Sequence, residues 1–343
     1  MSLHKLSAGG GVDYLLRHTC CGDVDRAAET PLSSYYVDSG YPPGRWMGQG
    51  LAGVADGRGI TGPVGEEAMS RLFGLGMDPA TSVPLGTTWR VAKPAPQRIA
   101  ERVAALPTNL PATDRSEAIA RIEAEENARR TPVAVSGFDL TFTLPKSASI
   151  LWALADPTTQ TRIVKAHAEA VADCLALLEE HALFTRIGRN GVAQVSTRGA
   201  LAAGFDHWDT RTGDPNLHTH LVIANKVQGL DGGWRSVDAK GLYAATVAIS
   251  ETYDTLVADK IAAAIGTRWS VRARAERSPL FEIDGVSPDL LAEFSHRSLQ
   301  IEAQLRGLLA GFHARNNRSP TRAEMLRIRQ HATRISRPVK QLR

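Results

Sequence analysis

Between residues 183 and 227 the chain breaks into four strand-like runs separated by turns, a pattern that leaves few architectures open. Residues 183–189 and 192–197 are joined by Asn190-Gly191, a pair well suited to a two-residue hairpin turn because both accept positive φ. A third run, 200–209, passes through Thr212-Gly213-Asp214-Pro215-Asn216 into a fourth at 217–227. Connections this short make neighbouring strands antiparallel, because parallel strands need a crossover of a dozen residues or more. A fifth strand is written in Phe138-Asp139-Leu140-Thr141-Phe142-Thr143, where strict alternation puts Asp139, Thr141 and Thr143 on one face. The Asp139 carboxylate is expected to face away from the core.

Helical periodicity surrounds these runs. Asp156-Pro157 is a helix start, and Ile163, Val164, Val171, Leu175 and Leu178 continue it as an apolar stripe to about residue 180. A second long helix is expected over 238–265. The class is therefore α+β, an antiparallel β-sheet with helices packed on it, followed by a basic helical C-terminal segment. Nearer the start, residues 1–6 read as a strand, followed by Gly9-Gly10-Gly11 and a helix-like Val12-Asp13-Tyr14-Leu15-Leu16. The stretch 31–62 reads as an ordered loop, 66–73 as a short helix stopped by Gly74, Thr87-Thr88-Trp89-Arg90-Val91 as a candidate strand, and 114–130 as a charged helix.

At 343 residues, with 43% hydrophobic and 22% charged side chains, the chain can bury a full core, which excludes a disordered chain and a disulfide miniature. No apolar run reaches the ~20 residues of a membrane span, and no secretory signal opens the sequence. A cytoplasmic protein without membrane insertion is expected. Cys20, Cys21 and Cys174 fit neither a disulfide framework nor paired zinc knuckles. The net charge of +4 is unevenly spread: from Arg297 onward eleven Lys or Arg stand against two Glu, and the rest of the chain is net acidic. A polyanion could be gripped at that end; solvated helix surface is the plainer alternative.

The residues that carry chemistry are His218-Thr219-His220 and His207. Two positions apart on a strand, the first two imidazoles point the same way, ~6.6 Å apart along the backbone. His207 lies on the preceding strand, across the turn, where hairpin pairing can bring it alongside. Three neutral imidazoles leave a divalent metal open positions, as a Lewis acid requires and a closed structural site lacks. Asp139 could hydrogen-bond a ligand histidine or accept a proton, or simply face solvent. Gly48-Gln49-Gly50-Leu51-Ala52-Gly53 formally fits a dinucleotide fingerprint, but no strand precedes it, and no Walker A sequence occurs.

Phe205-Asp206-His207 with Gly213-Asp214-Pro215-Asn216-Leu217-His218-Thr219-His220 resembles the three-histidine motif of conjugative relaxases of the F-plasmid type, members of the HUH endonuclease superfamily. Gly137-Phe138-Asp139-Leu140-Thr141-Phe142 with Pro145-Lys146-Ser147-Ala148-Ser149 resembles a second block of that family, and Trp46-Met47-Gly48-Gln49-Gly50 a third. The similarity runs from Leu6 to about Arg337.

This resemblance implies metal-dependent, site- and strand-specific nicking and rejoining of single-stranded DNA at a transfer origin, which can carry a hairpin. The nucleophile would be a tyrosine, leaving a 5′-phosphotyrosyl strand and a free 3′-hydroxyl. Tyr14 matches the family's nucleophile, and Tyr35 and Tyr36 resemble its second tyrosine pair, although Leu15 stands where an adjacent tyrosine often does. His207, His218 and His220 would hold the metal and Asp139 would assist. Magnesium or manganese suits phosphate chemistry, zinc or nickel suits imidazole, and composition does not decide.

Residues 1–295 would be the catalytic domain, with a mobile insertion at about 76–130, and 296–343 a basic segment that could clamp DNA. Lys146, Arg186, Arg189 and Arg198 are candidates to hold the phosphate backbone, and Trp46, Trp208 and Trp234 to stack on bases. Relaxosome and coupling proteins are the implied partners, and the accompanying helicase of many relatives is not expected in this chain. A rolling-circle replication initiator with the same chemistry, a hydrolase using water with Tyr14 structural, and a non-catalytic metal-stabilised module for single-stranded DNA remain the alternatives.

Overall fold

In chain order the strands are β1 (Ser2–Ser7), β2 (Arg45–Met47), β3 (Val135–Thr143), β4 (Phe184–Ile187), β5 (Ala193–Ser196), β6 (Ala202–Asp209), β7 (Pro215–Ala224), β8 (Val227–Gln228), β9 (Trp234–Arg235), β10 (Trp269–Arg274) and β11 (Arg277–Ile283). The helices are α1 (Glu66–Met69), α2 (Ala95–Ala104), α3 (Ala112–Ala128), α4 (Lys146–Leu154), α5 (Pro157–His181), α6 (Ala239–Ile265), α7 (Pro288–Glu293), α8 (His296–Asn316) and α9 (Arg322–Ile335). This computed structural model describes residues 1–8, 41–89, 93–129, 133–274 and 277–337. Tyr14, Tyr35, Tyr36, Cys20, Cys21 and the helix-like residues 12–16 lie outside the described residues.

The central sheet has the order β1-β3-β7-β6-β2, with every pairing antiparallel. Period-two alternation along β3, β6 and β7 gives it two faces. On one, Phe138, Leu140, Phe142, Leu221 and Ile223 pack against α5 and α6 through Ile163, Ala170, Val171, Leu178, Tyr253, Val257 and Ile261. On the other, Ala203, Phe205, Val222 and Ala224 meet a second apolar layer made by Leu6, Tyr41, Val54, Val64, Met69, Leu72 and Phe73. Asp139 was expected to point outward from the core. It points to this second face and is only 5% exposed, because the sheet is covered on both sides.

The α+β class, the long helices and most strand positions agree with the sequence. α5 starts where Asp156 accepts hydrogen bonds from the Thr158 and Thr159 amides at 2.9 and 3.2 Å, with Pro157 in its first turn. Asn190 and Gly191 adopt φ of 60° and 65°, the positive values that this pair accepts, but the ladder closes at Ile187 and Ala193, so the connection is five residues, 188–192, and not the expected two.

Further expectations change. β4 and β5 form their own two-stranded sheet, because β5 is largely exposed and cannot enter a sheet buried on both faces. The stretch read as a loop contains β2, whose three residues are held by pairing with β6. The helix beginning at Glu66 continues past Gly74 as a π turn, Ser70–Leu75, since burial of Leu72 and Phe73 carries it on to Gly76, which ends it at φ 70°. Thr87, Thr88 and Trp89 are not a strand, and Arg90 and Val91 lie outside the described residues. Within the stretch read as an insertion, α2 and α3 are clasped by the buried Glu126, which accepts from Arg98 Nε at 2.7 Å and Arg102 Nη1 at 3.0 Å.

Candidate metal centre

Pairing of β6 with β7 sets His207 opposite His218 and Phe205 opposite His220. Opposed residues share a face, so all three imidazoles stand on the second face of the sheet. One nitrogen from each ring lies within 4.8 Å of the others, and the ring centroids are 5.2 to 5.3 Å apart. His207 is buried at the floor of the cluster, whereas His218 and His220 are part-exposed.

Hydrogen bonds fix which nitrogen two of the rings present. His218 Nδ1 lies 2.7 Å from the Asn216 carbonyl, which can only accept, so Nδ1 carries the proton and Nε2 keeps its lone pair. The Asn216 side-chain amide also approaches, at 3.2 Å, but the shorter carbonyl contact decides the tautomer. His220 Nδ1 lies 2.9 and 3.0 Å from the two Asp139 oxygens, with the same consequence. A carbonyl or carboxylate behind the non-ligating nitrogen is the usual way a protein orients a metal-binding imidazole. The donor set fits one divalent ion: three imidazoles, two of them aimed by groups behind them, and no thiolate.

Other residues at the centre were not singled out from sequence. The Tyr41 ring lies edge-on to His207 at 5.1 Å and against Trp208 at 4.6 Å, while its hydroxyl donates to Asp209. Beneath the ligands, on the helix face, a polar chain crosses the core. Tyr253 Oη donates to His167 Nδ1 at 2.8 Å, His167 Nε2 to Thr219 Oγ1 at 2.8 Å, and Thr219 to Asp206 at 2.5 Å, whose other oxygen pairs with Arg45. Each member has a partner in one consistent direction, which is what makes such burial tolerable. Burial pushes the His167 imidazole down from 6.5 to about 4, so it stays neutral there. The alternation that aims His218 and His220 one way aims Thr219 the other, and that was the available signal.

The DNA-contact candidates are spread more widely. Lys146 Nζ donates to the Pro215 carbonyl at 2.8 Å, and burial lowers its pKa against the opposing pull of Asp214 and Glu282. Arg186 binds Asp238 at 2.8 Å and the Gly191 carbonyl at 3.0 Å; Arg189 is exposed in the β4–β5 turn; Arg198 is exposed beside the Leu230 carbonyl. Trp46 on β2 and Trp234 are half-buried against the second apolar layer, and Trp208 packs between Tyr41 and Trp152.

The family model for TrwC relaxase matches residues 8–343. The chain belongs to the TrwC relaxase family. Among curated relatives of this relaxase, it is 36% identical over 104 residues to the multifunctional conjugation protein TraI of Escherichia coli, a match covering 30% of this chain and 6% of that protein. It is 31% identical over 137 residues to TraI of Escherichia coli strain K12, covering 37% of the chain and 8% of the relative. The matches thus span a small part of those proteins. Among solved structures, the conjugative relaxase TrwC in complex with oriT DNA, metal-bound, aligns over 99% of this chain and 91% of its own with a TM-score of 0.64 at 22% identity. TrwC complexed with a 27-mer DNA comprising the recognition hairpin and the cleavage site aligns over the same shares with a TM-score of 0.62 at 22% identity. The fold of this relaxase is accordingly the TrwC fold. Among the described residues, no helix is long and apolar enough to cross a membrane.

Proposed function

We propose that this relaxase nicks and rejoins single-stranded DNA at a transfer origin by tyrosine transesterification, using His207, His218 and His220 to hold a divalent metal. The observation that carries the reading is the three-imidazole cluster on β6 and β7, with its rings aimed by Asp139 and Asn216, in a chain matched by the relaxase family model over residues 8–343. The TrwC complexes with oriT DNA, one of them metal-bound and another holding the recognition hairpin and the cleavage site, support the same substrate and cofactor class here.

Bound there, a divalent ion would offset charge on the scissile phosphate and favour loss of the phenolic proton, whose ordinary pKa is ~10. Asp139 holds the His220 ring through Nδ1, and Asn216 holds that of His218. Tyr14 is assigned as nucleophile. Its phenolic oxygen forms a bond to phosphorus as the bond from phosphorus to the 3′ oxygen breaks, and the departing oxygen takes up a proton. One phosphoester replaces another, so the step is reversible and rejoining needs no external energy source. β1 ends at Ser7 and pairs His4 with Asp139, behind His220, and the six residues that separate Ala8 from Tyr14 give the chain a maximum reach of ~20 Å from there. Tyr35 and Tyr36 are assigned to a second transfer, and Tyr36 stands five residues before Tyr41, which touches His207. Lys146, Arg186, Arg189 and Arg198 with Trp46 are proposed as contacts to the strand, and relaxosome and coupling proteins as partners.

The test is a denaturing gel of the protein incubated with an oligonucleotide spanning the element's own origin, with magnesium, manganese, zinc or nickel in turn. A covalent protein–DNA adduct is expected, absent with chelator and in Tyr14→Phe. Cleavage without adduct would mean that water is the nucleophile and would overturn the assignment.

A further inference from the structure

The turn from β6 into β7 is held from outside the sheet. Asp214 is 3% exposed and accepts from Thr212 Oγ1 at 2.9 Å, Thr210 Oγ1 at 3.4 Å, His296 Nδ1 at 2.6 Å and the Arg297 backbone amide at 3.3 Å. Burial alone would raise its carboxyl pKa. The hydrogen bonds from His296, Thr212 and Arg297, with the Lys146 charge, outweigh that and hold it below the ordinary carboxylate range. His296 and Arg297 begin α8, so the carboxylate also meets the positive end of a 21-residue helix. The Arg297 guanidinium then reaches α9, donating to the Thr333 carbonyl at 2.8 Å and to Ser336. Polar contacts therefore run without a break from α9 through Arg297 to Asp214. The next residue, Pro215, is gripped by Lys146, and the one after, Asn216, holds the Nδ1 proton of His218.

We propose that the α8–α9 pair is a strut for the metal centre, in which His296 and Asp214 act as positioning residues that fix the 210–216 turn and, through the Asn216 carbonyl, the orientation of His218. The basic C-terminal helices then have a role separate from any grip on DNA. Without the strut the turn gains freedom, and the His218 ring must be ordered at the expense of metal affinity. The proposal rests on the three-histidine reading above.

The test measures affinity in the absence of DNA, by calorimetric titration of the full chain with Ni2+, a probe suited to imidazole ligands. His296 has a side chain 63% exposed, so its replacement is expected to leave the metal-free fold intact, checked by circular dichroism and thermal midpoint. His296→Ala is expected to bind Ni2+ several-fold more weakly, less than the ~10-fold or more that loss of a group bonded directly to a ligand costs, because His296 acts through Asp214 and the turn. His296→Asn, whose amide nitrogen can stand in for Nδ1, is expected to restore most of the affinity. Wild-type affinity in His296→Ala overturns the strut, as does equal loss in both variants. His218→Ala is the control: if Ni2+ binding survives in it, the three-histidine reading fails, and the strut with it.

Discussion

At the scale of single residues, the centre depends on which nitrogen each imidazole turns outward. Asp139 supplies two acceptors to His220 Nδ1 and has no competing basic partner among its described contacts. In Asp139→Asn the shape is kept but the negative charge behind the ring is lost, and the amide can turn a donor toward Nδ1. Metal affinity should fall by about ten- to a hundredfold, read as a shift in the Ni2+ isotherm and in the metal concentration that half-saturates cleavage; an unshifted isotherm would remove Asp139 from the centre. The residue types at this site were legible in the sequence because strand alternation puts His218 and His220 on one face whatever else the chain does. Tyr41 was not legible, since its contact with His207 joins segments 166 residues apart and leaves no local pattern.

Among elements, the pairing of β6 with β7 decides whether the centre exists, and the polar chain on the helix face favours one register. Only the register that sets Thr219 across from Asp206 also sets His207 across from His218. A slip by one residue would turn the ligands into the α5–α6 core and strand the buried polar groups. Thr219→Val keeps volume and strand preference but leaves His167 Nε2 and one Asp206 oxygen without their bridge. It should lower unfolding free energy by about 1–3 kcal/mol, measured by urea titration, while Thr219→Ser should stay near wild type. Equal stability of the valine variant and wild type would mean the chain contributes nothing to the pairing. The β4–β5 hairpin shows the other side of the same physics: its turn was readable from Asn190-Gly191, but its separation from the main sheet was not. Turn chemistry is local, whereas sheet membership depends on what covers each face.

For the whole molecule, the buried His167 links stability to pH. The unfolded imidazole takes up its proton near pH 6.5, whereas the folded one resists to about pH 4. Between these values the unfolded state binds more protons, so this contribution is fully present above about pH 6.5 and is lost as pH falls to about 4. The loss amounts to about 3 kcal/mol. Urea titrations at pH 7 and pH 4.5 should show this decline in the wild type and a shallower one in His167→Gln; parallel declines would rule the histidine out as its source. At this scale the sequence by itself determined the fold class, the long helices, the hairpin turn and the histidines, all properties written in periods of two and 3.6 residues or in dihedral preferences of neighbours. Tertiary structure alone decided the strand order, the burial of Asp139, the polar chain under the ligands and the docking of α8 on Asp214. Each of these joins residues far apart in the chain, and the apolar contacts and buried hydrogen bonds that hold them form between surfaces that no local window of sequence contains.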